Sequence, residues 1–116
     1  MLLESESVLR ALTPDFAKLK ALPEGLAVFV TAPSDDRWYD FVDRAFWPKL
    51  KIDEDPVCGS AHCNLAPYWS EKLGKTHLTA HQVSPRGGVL YLEDCGSRIK
   101  IAGQAVLYAK GDLPWL

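Results

Sequence analysis

Between Glu54 and His62 the chain reads Glu-Asp-Pro-Val-Cys-Gly-Ser-Ala-His, which sets a carboxylate, a thiol and a helix-opening Gly-Ser within a few residues of one another. Groups of these types at this spacing can move protons. Pro56 fixes its own φ and holds Asp55 extended, so the Asp55 carboxylate enters the turn in a defined direction. Gly59 lets the backbone approach a ligand closely. A helix opening at Ser60 and Ala61 would offer free N–H groups, at the positive end of its dipole, to a carboxylate or an enolate-like oxygen. The same field favours the thiolate of Cys58, as a nucleophile or base. His62 stands one turn further on.

Each residue also has a purely structural reading. Asp55 can be a turn residue that satisfies nearby amides, and Ser60 can be an N-cap. His62 reads either as a hydrogen-bonded structural histidine or as part of the site. Cys63 reads as a small hydrophobe on the inner side of its helix, and Cys95 as an incidental turn residue. Ser84-Pro85-Arg86-Gly87-Gly88 is either a glycine-rich anion cradle anchored by Arg86 or a tight turn before a strand. His77 and His81 read as strand surface residues, and Trp38, Trp47, Trp69 and Trp115 as core or interface anchors.

The elements that must position these groups follow from pattern. Thr13 as N-cap and Pro14 at the first helical position predict a short helix carrying Phe16, Leu19 and Leu22, with an earlier turn capped by Ser7 and running to Leu12. Pro23-Glu24-Gly25 ends that helix, and residues 27–32 form a β-branched, apolar strand. Residues 39–46 suit a helix by spacing, but Val42, Arg44 and Phe46 alternate with Phe41, Asp43 and Ala45, which favours a strand. Residues 60–73 form the strongest helix: Ala61, Leu65, Ala66, Trp69 and Leu73 lie near one face, and Gly74 occupies the C-cap. Pro67 interrupts it and predicts a kink. Beyond it, residues 78–84, 88–93, 98–102 and 105–109 read as four strands, with a hairpin loop over residues 94–97. The expected architecture is α+β: one domain, residues 1–116, in which a mixed, barrel-like sheet wraps one central helix.

Composition narrows the function classes. The chain has 116 residues, 47% of them hydrophobic, enough for one real core. Thirteen Lys plus Arg against fifteen Asp plus Glu give a net charge of -2, with no basic stripe to attract nucleic acid or anionic lipid. The start lacks a basic region and an apolar signal core, so a cytoplasmic location is expected. Three cysteines make a disulfide framework improbable. Cys58, His62 and Cys63 supply only three potential ligands, so no metal is expected.

The run resembles the PhzF-like family of phenazine biosynthesis proteins. The motifs that carry the resemblance are Glu54 to His62, then Leu65-Ala66-Pro67-Tyr68-Trp69, Leu73-Gly74-Lys75, Gln82-x-Ser84-x-Arg86-Gly87-Gly88 and Ile101-x-Gly103-x-Ala105. Upstream, Arg10 to Asp15, Val30-Thr31-Ala32 and Tyr39 to Pro48 extend it over nearly the whole chain. The resemblance implies an isomerase of the diaminopimelate-epimerase-like fold, two pseudo-symmetric halves with the active site in the cleft between them. This chain is similar to the C-terminal half. The family's acid/base glutamate, in the other half, has no counterpart here, while its aspartate and Gly-Ser are matched by Asp55, Gly59 and Ser60. Cys58 replaces a threonine, and related epimerases carry a catalytic cysteine before such a helix start. Lys51 replaces a usual glycine, with an expected effect on loop shape only.

The function expected from this resemblance is half of a cofactor-independent isomerase or epimerase. Asp55 and Cys58 would be catalytic, and Gly59, Ser60, Ala61, His62 and Arg86 would bind a small carboxylic acid. The facing half would be a second copy in a homodimer or a separate N-terminal half. The alternative is a truncated, non-catalytic binding domain.

Overall fold

The computed structural model describes residues 1–112 and 114. Two short helices open the chain, α1 (Glu6–Ala11) and α2 (Phe16–Lys20), followed by strands β1 (Val28–Pro33) and β2 (Phe41–Trp47). A 3-10 turn (Pro48–Leu50) leads into β3 (Ile52–Asp55), helix α3 (Gly59–Leu73), and strands β4 (His77–Gln82), β5 (Gly88–Asp94) and β6 (Ile99–Ala102). Both early caps fall beside the expected ones. Ser5 Oγ, not Ser7, accepts from Val8 N at 3.3 Å, and Asp15 Oδ1, not Thr13, accepts from Lys18 N at 3.1 Å. The Asp15 carboxylate reaches the amide three residues on, so Pro14 falls outside the helix.

The strand order is β1-β2-β4-β5-β6, and β3 pairs β2 off that path. β2 is the pivot: β1 lies antiparallel on one edge, while β4 (parallel, against Phe41–Asp43) and β3 (antiparallel, against Ala45 and Trp47) share the other. The fold is α+β with a mixed sheet, as expected, but the sheet stays open rather than closing into a barrel. The expected fourth strand over 105–109 does not form. Val106, Leu107 and Tyr108 are 93%, 81% and 99% exposed, because no strand lies alongside to accept their ladder hydrogen bonds.

Side-chain alternation on β2 explains its double periodicity. Phe41 faces α3 and joins Leu65, Ala66 and Trp69 with Leu78, Ala80, Leu90 and Leu92 of the sheet. Val42 and Phe46 face the other way, onto Leu9, Val30 and Ala32 beneath α1 and α2. The Phe41 and Trp69 rings stack at 5.3 Å with 4° between their planes. Each large apolar side chain buried here contributes roughly 1.5–3 kcal/mol. Trp69 Nε1 also donates to Thr31 Oγ1 at 2.9 Å, so its one polar atom is satisfied in the core. Trp38, by contrast, is 69% exposed, with the Arg37 guanidinium 5.0 Å from its ring; Trp115 lies outside the described residues.

α3 continues through Pro67, which sits on the exposed side, as does Cys63, whose carbonyl the proline deprives of its helical donor. Cys63 itself is exposed, not packed inward. Gly74 takes the left-handed C-cap at φ 66°, and Gly96 turns the β5–β6 hairpin at φ 78°. Lys51 is the single non-glycine with positive φ among the described residues, at 64°. A side chain there costs about 1–2 kcal/mol, so Lys51→Gly is expected to raise the urea midpoint by an amount equivalent to about 1 kcal/mol. An unchanged or lower midpoint would contradict that strain. No described helix is long and apolar enough to cross a membrane.

Candidate functional site

β3 brings Asp55 opposite Ala45 on the edge of β2, and the chain then has three residues in which to turn into α3. Asp55 closes that turn itself, its Oδ1 accepting from Val57 N at 3.1 Å. The carboxylate thus both shapes the turn and stays half-buried at the surface. Its neighbour Glu54 is committed elsewhere. It pairs bidentately with Arg44 at 2.7 and 2.9 Å, while Arg44 Nη1 donates to the Leu12 carbonyl at 2.7 Å.

The β4–β5 hairpin braces the turn from below. Gln82, fully buried, donates through Nε2 to the Asp55 carbonyl at 2.6 Å and accepts through Oε1 from Cys58 N at 2.7 Å. Ser84 Oγ donates to the Pro56 carbonyl at 2.6 Å and accepts from Gly87 N at 3.0 Å, a reach that Gly87 allows at φ 70°. Gly88 is required by packing: a Cβ there would stand 2.5 Å from Val57 Cγ2. The glycine-rich stretch is therefore a cradle for the Asp55–Cys58 turn. Gly88→Ala is expected to destabilise by about 1–3 kcal/mol through overpacking, and adding Val57→Ala should recover most of it. Denaturant unfolding of the single and double variants would show otherwise if the losses simply add.

Cys58 is the N-cap of α3, in extended geometry, and its side chain makes no capping hydrogen bond. Its own N–H is taken by Gln82, so the amides of the first turn, at Gly59, Ser60 and Ala61, are the ones that lack a side-chain acceptor. Gly59 and Ser60 are exposed at this helix start, while Ala61 packs on Ala45 and Cys58. A helix of fifteen residues adds its positive end at the same point. The Cys58 thiol, expected from the sequence to be catalytic, is only 4% exposed, with Sγ 3.2 Å from Ser60 Oγ. Ser60 carries the hydroxyl that faces solvent.

His62, expected at the substrate, is enclosed at 0% exposure. Its Nδ1 lies 2.7 Å from the Cys58 carbonyl and its Nε2 3.1 Å from Asp43 Oδ1. Burial alone favours the neutral imidazole. The Asp43 carboxylate and the Cys58 carbonyl outweigh it, and the His62 pKa lies above its ordinary value. With Cys63 turned to solvent and Cys58 and His62 turned inward, the three residues do not converge on an ion. No group of three or more metal-binding side chains occurs among the described residues.

Arg86 is exposed and lines an open cleft of about 530 Å³ with Val57, Gly88, Tyr91 and Ile101. Asp55, Gly59 and Ser60 lie outside that lining, and Val57 is the one residue of the turn that shares it with Arg86. Sequence reasoning missed three supports: Gln82, Ser84 and Asp43. Gln82 left a signal, since it follows Leu78 and Ala80 at the inward positions of β4, where a polar side chain needs a buried partner. Asp43 shows the same signal on β2, between inward Phe41 and Ala45.

Comparison with known proteins places this architecture. A profile of the family described as phenazine biosynthesis-like protein, PhzC-PhzF, matches residues 1–111. An uncharacterized isomerase of Pseudomonas aeruginosa is 53% identical over 111 residues, covering 96% of this chain and 41% of that protein. An uncharacterized isomerase of Halalkalibacterium halodurans is 41% identical over 111 residues, covering 96% and 42%. The crystal structure of a PhzF family protein from Enterococcus faecalis superposes with TM-score 0.88 at 53% identity, over 98% of this chain and 43% of that one. The chain thus spans about two fifths of the length of these relatives.

Proposed function

Because the chain belongs to the phenazine biosynthesis-like PhzC-PhzF family, we propose that it forms one wall of a cofactor-independent isomerase or epimerase site acting on a small carboxylic acid. The observation that carries this reading is the open helix start beside Asp55. The Gly59 and Ser60 amides have no capping side chain, and the braced turn fixes Asp55 next to them. Such amides stabilise a carboxylate or a developing enolate oxygen, and a fixed carboxylate can pass a proton to or from the adjacent carbon. Ser60 Oγ adds a donor, and the buried Cys58 thiol acts through it at 3.2 Å. Arg86 is an outlying anchor for a larger substrate at the edge of the neighbouring cleft.

One wall holds no opposed second carrier, so the proposal includes a facing half. That half is a second copy of this chain or an N-terminal half of the kind that completes the length of its relatives. The exposed apolar run Val106, Leu107 and Tyr108 supports an additional partner surface. Solution mass measured with and without a separately expressed N-terminal half of a relative identifies the assembly. Exchange of substrate α-hydrogen in deuterated water is then followed over a panel of cyclic and amino-acid-like carboxylic acids. Exchange abolished by Asp55→Asn is the expected result; exchange undiminished in Asp55→Asn, or absent from every assembly, would sink the proposal. The second reading, a binding domain without turnover, is favoured by the burial of the Cys58 thiol, which is 4% exposed. It predicts carboxylate binding with no exchange.

A further inference from the structure

Beneath the helix start lie two ionisable side chains that the proposed chemistry does not use. Asp43 from β2 and His62 from α3 are both 0% exposed. Apart from their mutual 3.1 Å approach, His62 Nε2 and both carboxylate oxygens of Asp43 have no polar partner. Around them the register neighbours of Asp43 are neutral, Thr31 on β1 and Gln82 on β4, and the Phe41 ring stands 6.1 Å from the imidazole. Asp43 is the one charged group that bears on His62 among the described residues.

Hydrogen-bond roles fix where the protons must be. A carbonyl oxygen only accepts, so His62 Nδ1, 2.7 Å from the Cys58 oxygen, carries a hydrogen. Nε2 then faces a carboxylate oxygen at 3.1 Å. Two lone pairs at that separation in a dry interior repel, whereas one proton between them converts the contact into attraction. We propose that Asp43 and His62 are positioning residues that share this buried proton and draw the Cys58 carbonyl into the core, turning the Gly59 amide outward at the helix start.

The link from carbonyl to amide is covalent geometry. In a trans peptide the C=O and the following N–H point to opposite sides of the chain, and there are no cis peptides among the described residues. Holding the Cys58 oxygen against His62 therefore aims the Gly59 N–H away from the core, where Gly59 is exposed. The functional value of that aim rests on the reading that these amides hold a substrate carboxylate. The proton-sharing pair does not.

Nitrogen-15 NMR of the 116-residue chain tests the pair directly. At about pH 7, His62 is expected to show slowly exchanging hydrogens on both ring nitrogens, whereas exposed His77 should show none. Asp43→Asn is expected to abolish the Nε2 hydrogen, keep the Nδ1 hydrogen and shift the Gly59 amide resonance. The proposal is overturned by a wild-type His62 that carries its hydrogen on Nε2 alone or whose ring hydrogens exchange as fast as those of exposed His77. It is equally overturned if Asp43→Asn leaves the Nε2 hydrogen and the Gly59 resonance unchanged. If that variant does not fold, the wild-type spectrum decides alone. No turnover is measured, so a failed exchange assay and a failed pair are separate results.

Discussion

Replacing His62 with leucine lowers the unfolding free energy by about 3–5 kcal/mol, because it strands the Asp43 carboxylate in the core without its partner. Adding Asp43→Asn to that variant recovers part of the loss, since a buried neutral amide lacking a partner costs only about 1–3 kcal/mol. Urea unfolding followed by the fluorescence of buried Trp69 measures both. A double variant no more stable than His62→Leu alone would show that no charge is shared there. The pH dependence has a definite sign. Burial opposes the His62 charge, but Asp43 and the Cys58 carbonyl raise its pKa on folding. A group raised on folding gives its full stabilisation below the unfolded value, near about 6.5, and loses it as pH climbs through the folded value. The wild-type urea midpoint should therefore fall as pH rises above about 6.5, and Asp43→Asn should flatten that slope.

Gln82→Leu is the second large effect, about 2–5 kcal/mol, since it leaves both the Cys58 N–H and the Asp55 carbonyl without partners beneath the turn. Beyond stability it frees the turn, so amide hydrogen exchange at Val57 and Cys58 should quicken while exchange at Trp69 and Leu78 in the core changes less. Gln82→Glu separates bonding from size. When ionised, the introduced carboxylate would accept from Cys58 N but could only oppose the Asp55 oxygen; protonated, it could serve both groups. The deficit of this variant relative to wild type should shrink as pH falls. A deficit that does not vary with pH would mean that the Asp55 contact contributes little.

Much of the fold was legible locally because local rules decide it. Leu65, Ala66 and Trp69 share one helical face, Gly74 supplies the left-handed cap, and Gly96 turns its hairpin. Residues 105–109 failed for the opposite reason: β-propensity describes a strand only when a neighbour supplies the ladder, and no strand among the described residues pairs with them. The caps at Ser5 and Asp15 differ from Ser7 and Thr13 because several polar residues compete within a turn, and small differences in reach select one.

The candidate site divides along the same line. By itself the sequence determined that Asp55 leads into the turn from which Cys58, Gly59 and Ser60 open one helix, because bonded neighbours and Pro56 leave the backbone little choice. Only the tertiary structure decided which of them meets solvent. It turned Ser60 outward and Cys58 inward, and it enclosed His62 against Asp43, nineteen residues away. It also converted Ser84 and Gly88 from a suspected anion cradle into a brace of the turn, joined there by Gln82. These outcomes depend on which strand lies beside β2. β4 pairs there across the α3 crossover, and that long-range register puts Gln82 opposite Asp43.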